Sequence, residues 1–154
     1  MLYRDTQQLN EAEYFFTESC KVIEACFGKE HPDTAQAYRN LAGISQMKGN
    51  LDESLGYYNK ALRIYRDTYK GNHPEISVTL NDKAILQMRE GNHGSAIRTL
   101  QEALAMNLAL FKEVSHLEVK RLLVNLLAAY EHVPKDEFYA TYVDMMSTAN
   151  RNSS

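Results

Sequence analysis

Two unrelated dipeptides recur at one spacing. Gly49-Asn50 returns as Gly91-Asn92 and His31-Pro32 as His73-Pro74, each 42 residues on. Between these markers Leu9 answers Leu51, Glu11 answers Glu53, Asn40 answers Asp82, Ala42 answers Ala84, and Ala61-Leu62 answers Ala103-Leu104. The last unit slips to an offset of 43, with Leu80 matched by Leu123, Asp82 by Asn125 and His73 by His116, which places one extra residue in the final loop. A period of this length constrains the chain to a stack of like units, none of which can bury its apolar face alone.

Each unit reads as two helices. From Leu51 the apolar positions Leu55, Tyr58, Ala61, Leu62, Tyr65 and Tyr69 follow three or four apart, the stripe of an amphipathic helix. The same stripe runs through Leu9, Ala12, Phe16, Cys20, Ile23 and Phe27, and through Ala96, Leu100, Leu104, Leu108 and Phe111. Shorter helices lie between these. Two open on His-Pro-Asp/Glu, where proline loses nothing at the first helical position and the acid favours the positive end of the helix dipole. Gly49 and Gly91 end them. The expected map is a long helix near 9–27, pairs near 33–48 with 51–69 and 75–90 with 93–112, a short helix near 116–132, and a last one from Pro134 along Phe138, Tyr142, Met145 and Ala149. Residues 1–149 then form a single domain of a partial unit 1–28 and units 29–70, 71–112 and 113–149. Residues 150–154 form a polar, disordered tail. Residues 1–8 read as the end of a short helix whose beginning is missing, as in a piece of a longer chain.

Composition removes the other classes. Seven glycines and three prolines in 154 residues are too few for a β-sandwich, which needs a turn roughly every 8–12 residues. With 44% apolar residues and a net charge of −3, the chain is too apolar to be disordered. It also lacks the basic balance of a nucleic-acid binder. No apolar run approaches the roughly 18 residues that span a bilayer, and the N-terminus lacks the apolar core of a signal peptide. Cys20 and Cys26 lie about 240° apart around a helix, which favours reduced thiols in an intracellular, cytoplasmic setting.

The units resemble tetratricopeptide repeats (TPRs), in the 42-residue variety found in kinesin light chains and nephrocystin-like proteins. The resemblance is carried by Tyr38-Arg39-Asn40-Leu41-Ala42, by Lys48-Gly49-Asn50-Leu51-Asp52-Glu53-Ser54 with Tyr58, Ala61 and Leu62, and by the loop Gly28-Lys29-Glu30-His31-Pro32-Asp33. HEAT and armadillo arrays have a similar period, but the Gly-Asn turn with three small residues per unit favours TPR. The resemblance implies an all-α, right-handed superhelical stack of about seven helices. Two departures stand out: Lys83 replaces a leucine, and the third unit has His116-Leu117 and Val133-Pro134 in place of His-Pro and the Gly turn.

No catalytic, cofactor or metal motif is present. His31 and His73 belong to the repeat, His93 replaces an aromatic after the Gly-Asn turn, and Cys20 and Cys26 have no neighbouring base in sequence. What the resemblance implies is a non-catalytic adaptor whose short helices line a concave peptide groove. Carrying the register across, that groove presents Gln36, Arg39, Gly43, Gln46 and Met47; then Val78, Asn81, Ile85, Met88 and Arg89; then Arg121, Val124, Ala128, Glu131 and His132. The carboxylate clamp of chaperone-binding TPRs is absent. An acidic peptide with an aromatic anchor is the expected partner, and Arg39→Glu or Arg89→Glu is expected to abolish binding without affecting stability. The alternative is a structural or oligomerising segment. In it a second copy covers Tyr14, Phe15, Phe16 and Ile23 on the first helix, which lacks its covering partner.

Overall fold

The structure, a computed structural model, describes residues 2–112 and 116–134, with side chains from residue 7 onward. The helix expected from Pro134 to Ala149 and the tail at 150–154 lie outside the described residues. Six helices run in order: α1 (Leu2–Phe27), α2 (Pro32–Met47), α3 (Leu51–Tyr69), α4 (Pro74–Arg89), α5 (His93–Phe111) and α6 (Leu117–Tyr130). They form the expected right-handed superhelical stack of antiparallel pairs, with α2 and α4 each held between the long helix before it and the long helix after it, and α6 packed on α5.

The helix starts are chemically alike. His31, His73 and His116 take the N-cap position in extended backbone. Their ring Nδ1 atoms accept from the backbone N–H of Asp33, Glu75 and Glu118 at 3.2, 3.2 and 3.3 Å, satisfying a donor that the helix itself cannot. Each ring also stacks on the last aromatic of the preceding helix, with centroids 4.9 Å apart for Phe27 and His31, 3.5 Å for Tyr69 and His73, and 3.7 Å for Phe111 and His116. One side chain therefore caps a helix and sets the angle at which the chain enters it. The third unit keeps this device although its proline is gone.

Gly49 and Gly91 end the short helices at φ +84° and +75°, a region open to glycine at no steric cost. The N-terminus differs from expectation. The positions that match Gly49-Asn50 one unit earlier are Gln7-Gln8, two helix-tolerant residues, and α1 runs without a break from Leu2. Residues 2–8 extend the first long helix; they are not the end of a separate short one.

Small residues set the helix spacing. Ala35, Ala42, Ser54, Ala61, Ala84, Ala96, Ala103 and Ala129 are all fully buried. The Ser54 hydroxyl donates to the Ala42 carbonyl at 2.7 Å, so α2 and α3 meet nearly backbone to backbone. Leu62, Ile64, Tyr65, Ile76, Leu80, Leu100 and Leu122 fill the seams on either side. On the outer surface Arg63 reaches Glu30 through both guanidinium nitrogens at 2.8 and 2.9 Å, and Arg66 reaches Glu102 at 2.7 Å. Lys83 snorkels as its stem requires: half-buried, it carries its ammonium to Asn59 Oδ1 at 2.8 Å, and burial pulls its pKa down. Among the described residues no helix is long and apolar enough to cross a membrane.

Candidate peptide-binding groove

The short helices α2, α4 and α6 lie along one face, joined by a polar ladder at mid-height. Arg39 of α2 donates to Glu75 at the start of α4 at 2.8 Å and lies 3.8 Å from Asp82. The Asn81 side chain beside Asp82 and the charge of Arg121 on α6 both favour its ionised form. Asn81 in turn accepts from Asn125 Nδ2 of α6 at 2.7 Å. Burial raises the Asp82 carboxyl above the usual carboxylate range, and Arg39, Arg121 and Asn81 offset part of that cost.

The ladder sorts the residues that the register brought together. Arg39 is held inside the wall by two carboxylates, and Asn81 is almost fully buried in the seam. Gln46 accepts from the Tyr58 hydroxyl at 3.2 Å, and Arg121 is paired with Glu118. Beyond the ladder, toward the C-terminal ends of the helices, the surface opens. Gly43 has no heavy atom within 4 Å of where a Cβ would sit and Met47 is 59% exposed, while Ile85 and Met88 on α4 are half-buried. Level with the ladder, Val124 on α6 is 64% exposed. Arg89 is exposed and has no ion-pair partner among the described residues. Of the three groove arginines, it alone has no carboxylate of the described chain beside it. The surface thus offers adaptable apolar contacts with one available guanidinium.

Of the remaining reactive groups, Cys20 and His93 are engaged structurally. Cys20 is buried against Ala37 and Leu41, and burial with the adjacent Glu24 raises its thiol away from the nucleophilic form. Cys26 is exposed and unbridged. His93 is partly packed, its ring stacked on His132 with centroids 4.6 Å apart. Among the described residues no cluster of three or more metal-ligating side chains forms. On α1, Tyr14, Phe15 and Phe16 are exposed, whereas Ile23 packs on the Cys20 cluster; the structure adds Val22 and Phe27 to the exposed set.

The fold is a helical-repeat solenoid. Profiles of the tetratricopeptide repeat match residues 33–109 and residues 1–33, and the chain belongs to that family. A clustered mitochondria protein homolog of Aspergillus fumigatus is 27% identical over 115 residues, 75% of this chain and 9% of the relative. The Aspergillus niger protein of the same name is 25% identical over 111 residues, 72% of this chain and again 9% of the relative. The chain thus spans under a tenth of the length of these relatives. Among solved structures, BtubC (BKLC) from P. vanneervenii superposes with a TM-score of 0.78 at 20% identity, covering 99% of this chain and 61% of that one. A kinesin-light-chain-like structure of nearly identical TPR-like repeats from Podosopora anserina superposes at 0.71 and 18% identity, covering 99% and 72%.

Proposed function

We propose that the chain is a non-catalytic adaptor module, part of a larger cytoplasmic protein, that holds an acidic peptide segment with a large apolar anchor along α2, α4 and α6. The observation that carries this reading is the contrast along the groove. Its polar ladder satisfies Arg39, Asn81 and Asp82 internally, while Met47, Ile85, Val124 and Arg89 stay available to a ligand. The anchor packs on Met47, Ile85 and Met88, and Arg89 takes a ligand carboxylate. Arg39 shapes the wall and does not contact the peptide.

The test is a fluorescence-anisotropy screen of labelled ten-residue peptides, each with three acids and one Trp, Tyr or Leu, against the whole chain. Binding that falls about tenfold on Arg89→Glu with an unchanged melting curve supports the reading. A panel with no binder, or binders indifferent to Arg89→Glu and Met47→Glu, sinks it. A second association surface is favoured by the apolar side chains that α1 leaves exposed at the N-terminal end of the stack.

A further inference from the structure

Glycine at 43 has no role in holding the fold together. It lies inside α2, one turn before Met47, the last residue of that helix. Its φ is outside the positive range found at Gly28, Gly49 and Gly91, so no turn requires it. Within a helix glycine is destabilising relative to alanine. No close approach requires it either. At the neighbouring Ala42 the Ser54 hydroxyl comes to 2.7 Å from the backbone carbonyl, whereas among the described residues no heavy atom lies within 4 Å of a Cβ built at 43. The positions one turn away on the same face carry long side chains, Arg39 before it and Met47 after it. One and two units on, the matching positions carry Ile85 on α4 and Ala128 on α6. The groove floor therefore has a recess at 43. One end is closed by Arg39, which Glu75 and Asp82 hold in place, and the other by the exposed, adaptable Met47.

We infer, resting on the groove reading above, that Gly43 sets the size of the anchor the groove accepts. The bulkiest side chain of the bound peptide lies over the bare backbone at 43, between Arg39 and Met47, while a peptide carboxylate pairs with Arg89. The physical reason is room close to an available charge. A bulky anchor needs surface with no side chain already in the way, and at the matching positions a branched chain stands at Ile85 and a methyl at Ala128. Ala128 also belongs to the helix whose Arg121 is already paired with Glu118. Arg89, with no carboxylate of the described chain beside it, stands one turn beyond Ile85, the counterpart of Gly43. It is therefore diagonally across the α2–α4 seam from the recess, where one short peptide reaches both. The stability that glycine removes from α2 is offset in the complex, where a larger residue at 43 would compete with the anchor for the same space.

The probes are two labelled ten-residue peptides, each with three acids, identical apart from a Trp or an Ala anchor, titrated onto the whole chain by fluorescence anisotropy. The parent protein is expected to prefer the Trp peptide about tenfold or more. Gly43→Leu fills the recess, so the Trp peptide is expected to lose about tenfold while the Ala peptide keeps its affinity, and the preference disappears. Gly43→Leu is also expected to raise the melting temperature by about 2–4 °C, so that lost binding is not lost folding. Gly56, inside α3 and away from the groove, has the same open space at its Cβ and is the control. Gly56→Leu is expected to raise the melting temperature likewise and to leave both peptides unaffected. A Trp peptide that is weakened by Arg89→Glu but binds Gly43→Leu as well as the parent overturns the inference and leaves the groove reading standing. Equal weakening of both peptides by Gly43→Leu overturns it too, because anchor size is then not what position 43 reads. If neither peptide binds, the groove reading falls and this inference with it. Displacement of the Trp peptide by an excess of a synthetic peptide of residues 135–154 gives the recess to the chain's own C-terminal residues and also overturns it.

Discussion

Replacing Arg39 by methionine keeps the aliphatic stem and removes the charge that two carboxylates of α4 share. The Glu75 contact is half-exposed on the acid's side, 42% by side chain, so its loss counts as a surface pair of about 0.2–1 kcal/mol. Asp82 is the larger contribution. Its carboxyl is mostly shielded by the neighbouring helices, and breaking a fully buried pair costs about 3–5 kcal/mol. At 33% residual exposure a fraction of that applies, and the sum is about 1–2 kcal/mol at pH 7. The sign of the pH dependence follows from burial. Asp82 already titrates above its unfolded value, so the folded state binds the proton more tightly than the unfolded chain, and stability falls as pH rises through the folded pKa. Removing Arg39, which lowers that pKa, widens the window in which folding is coupled to proton uptake. The variant therefore recovers part of its deficit on acidification toward the raised Asp82 pKa, where the carboxyl is neutral and needs no partner. Urea unfolding of both proteins at pH 7 and pH 5, followed by circular dichroism, measures the gap at each pH. A gap that is absent at pH 7, or that widens at pH 5, would refute the reasoning.

Three further outcomes follow from the packing. His73→Ala removes both the cap on Glu75 N–H and the stack on Tyr69 and is expected to cost about 1–2 kcal/mol; a melting temperature within a degree of the parent contradicts the capping role. Gly91→Ala forces a Cβ onto a residue at φ +75° and is expected to destabilise by about 1 kcal/mol by denaturant titration, with no change in helix content at 20 °C. Asn107 is 2% exposed and its Oδ1 has no hydrogen-bond partner among the described residues, so Asn107→Leu is expected to raise stability by about 1 kcal/mol or more, and a lower urea midpoint would show that the amide is needed.

The parts legible in sequence were those set within one turn or one unit. The stripe from Leu51 to Tyr69 placed α3 correctly at both ends because amphipathic periodicity is local. Gly49 and Gly91 marked real turns because only a positive φ ends those helices there. The histidine caps were visible only as a repeated residue; that the ring, and not just the proline behind it, closes the helix start appears once Nδ1 is located against Asp33, Glu75 and Glu118. The break expected before Leu9 was an extrapolation of the period into residues that lack its glycine. In the groove the register placed Arg39 and Arg89 on equal terms and expected Arg39→Glu to leave stability alone. The two carboxylates on Arg39 argue against that expectation of unchanged stability.

The amino-acid sequence by itself therefore determined the repeat, its helix pairs, their turns and the family, since each of these is written in spacings of one unit or less. Tertiary structure decided which charges remain available. Arg39 meets Glu75 and Asn81 meets Asn125 across 36 and 44 residues of chain, and such partners are chosen by the rigid placement of one helix against another. The same placement leaves Val22 bare on α1 while covering Ile64 on α3. Burial belongs to the neighbours a side chain has, and two equivalent positions in a repeat differ when their neighbours among the described helices differ.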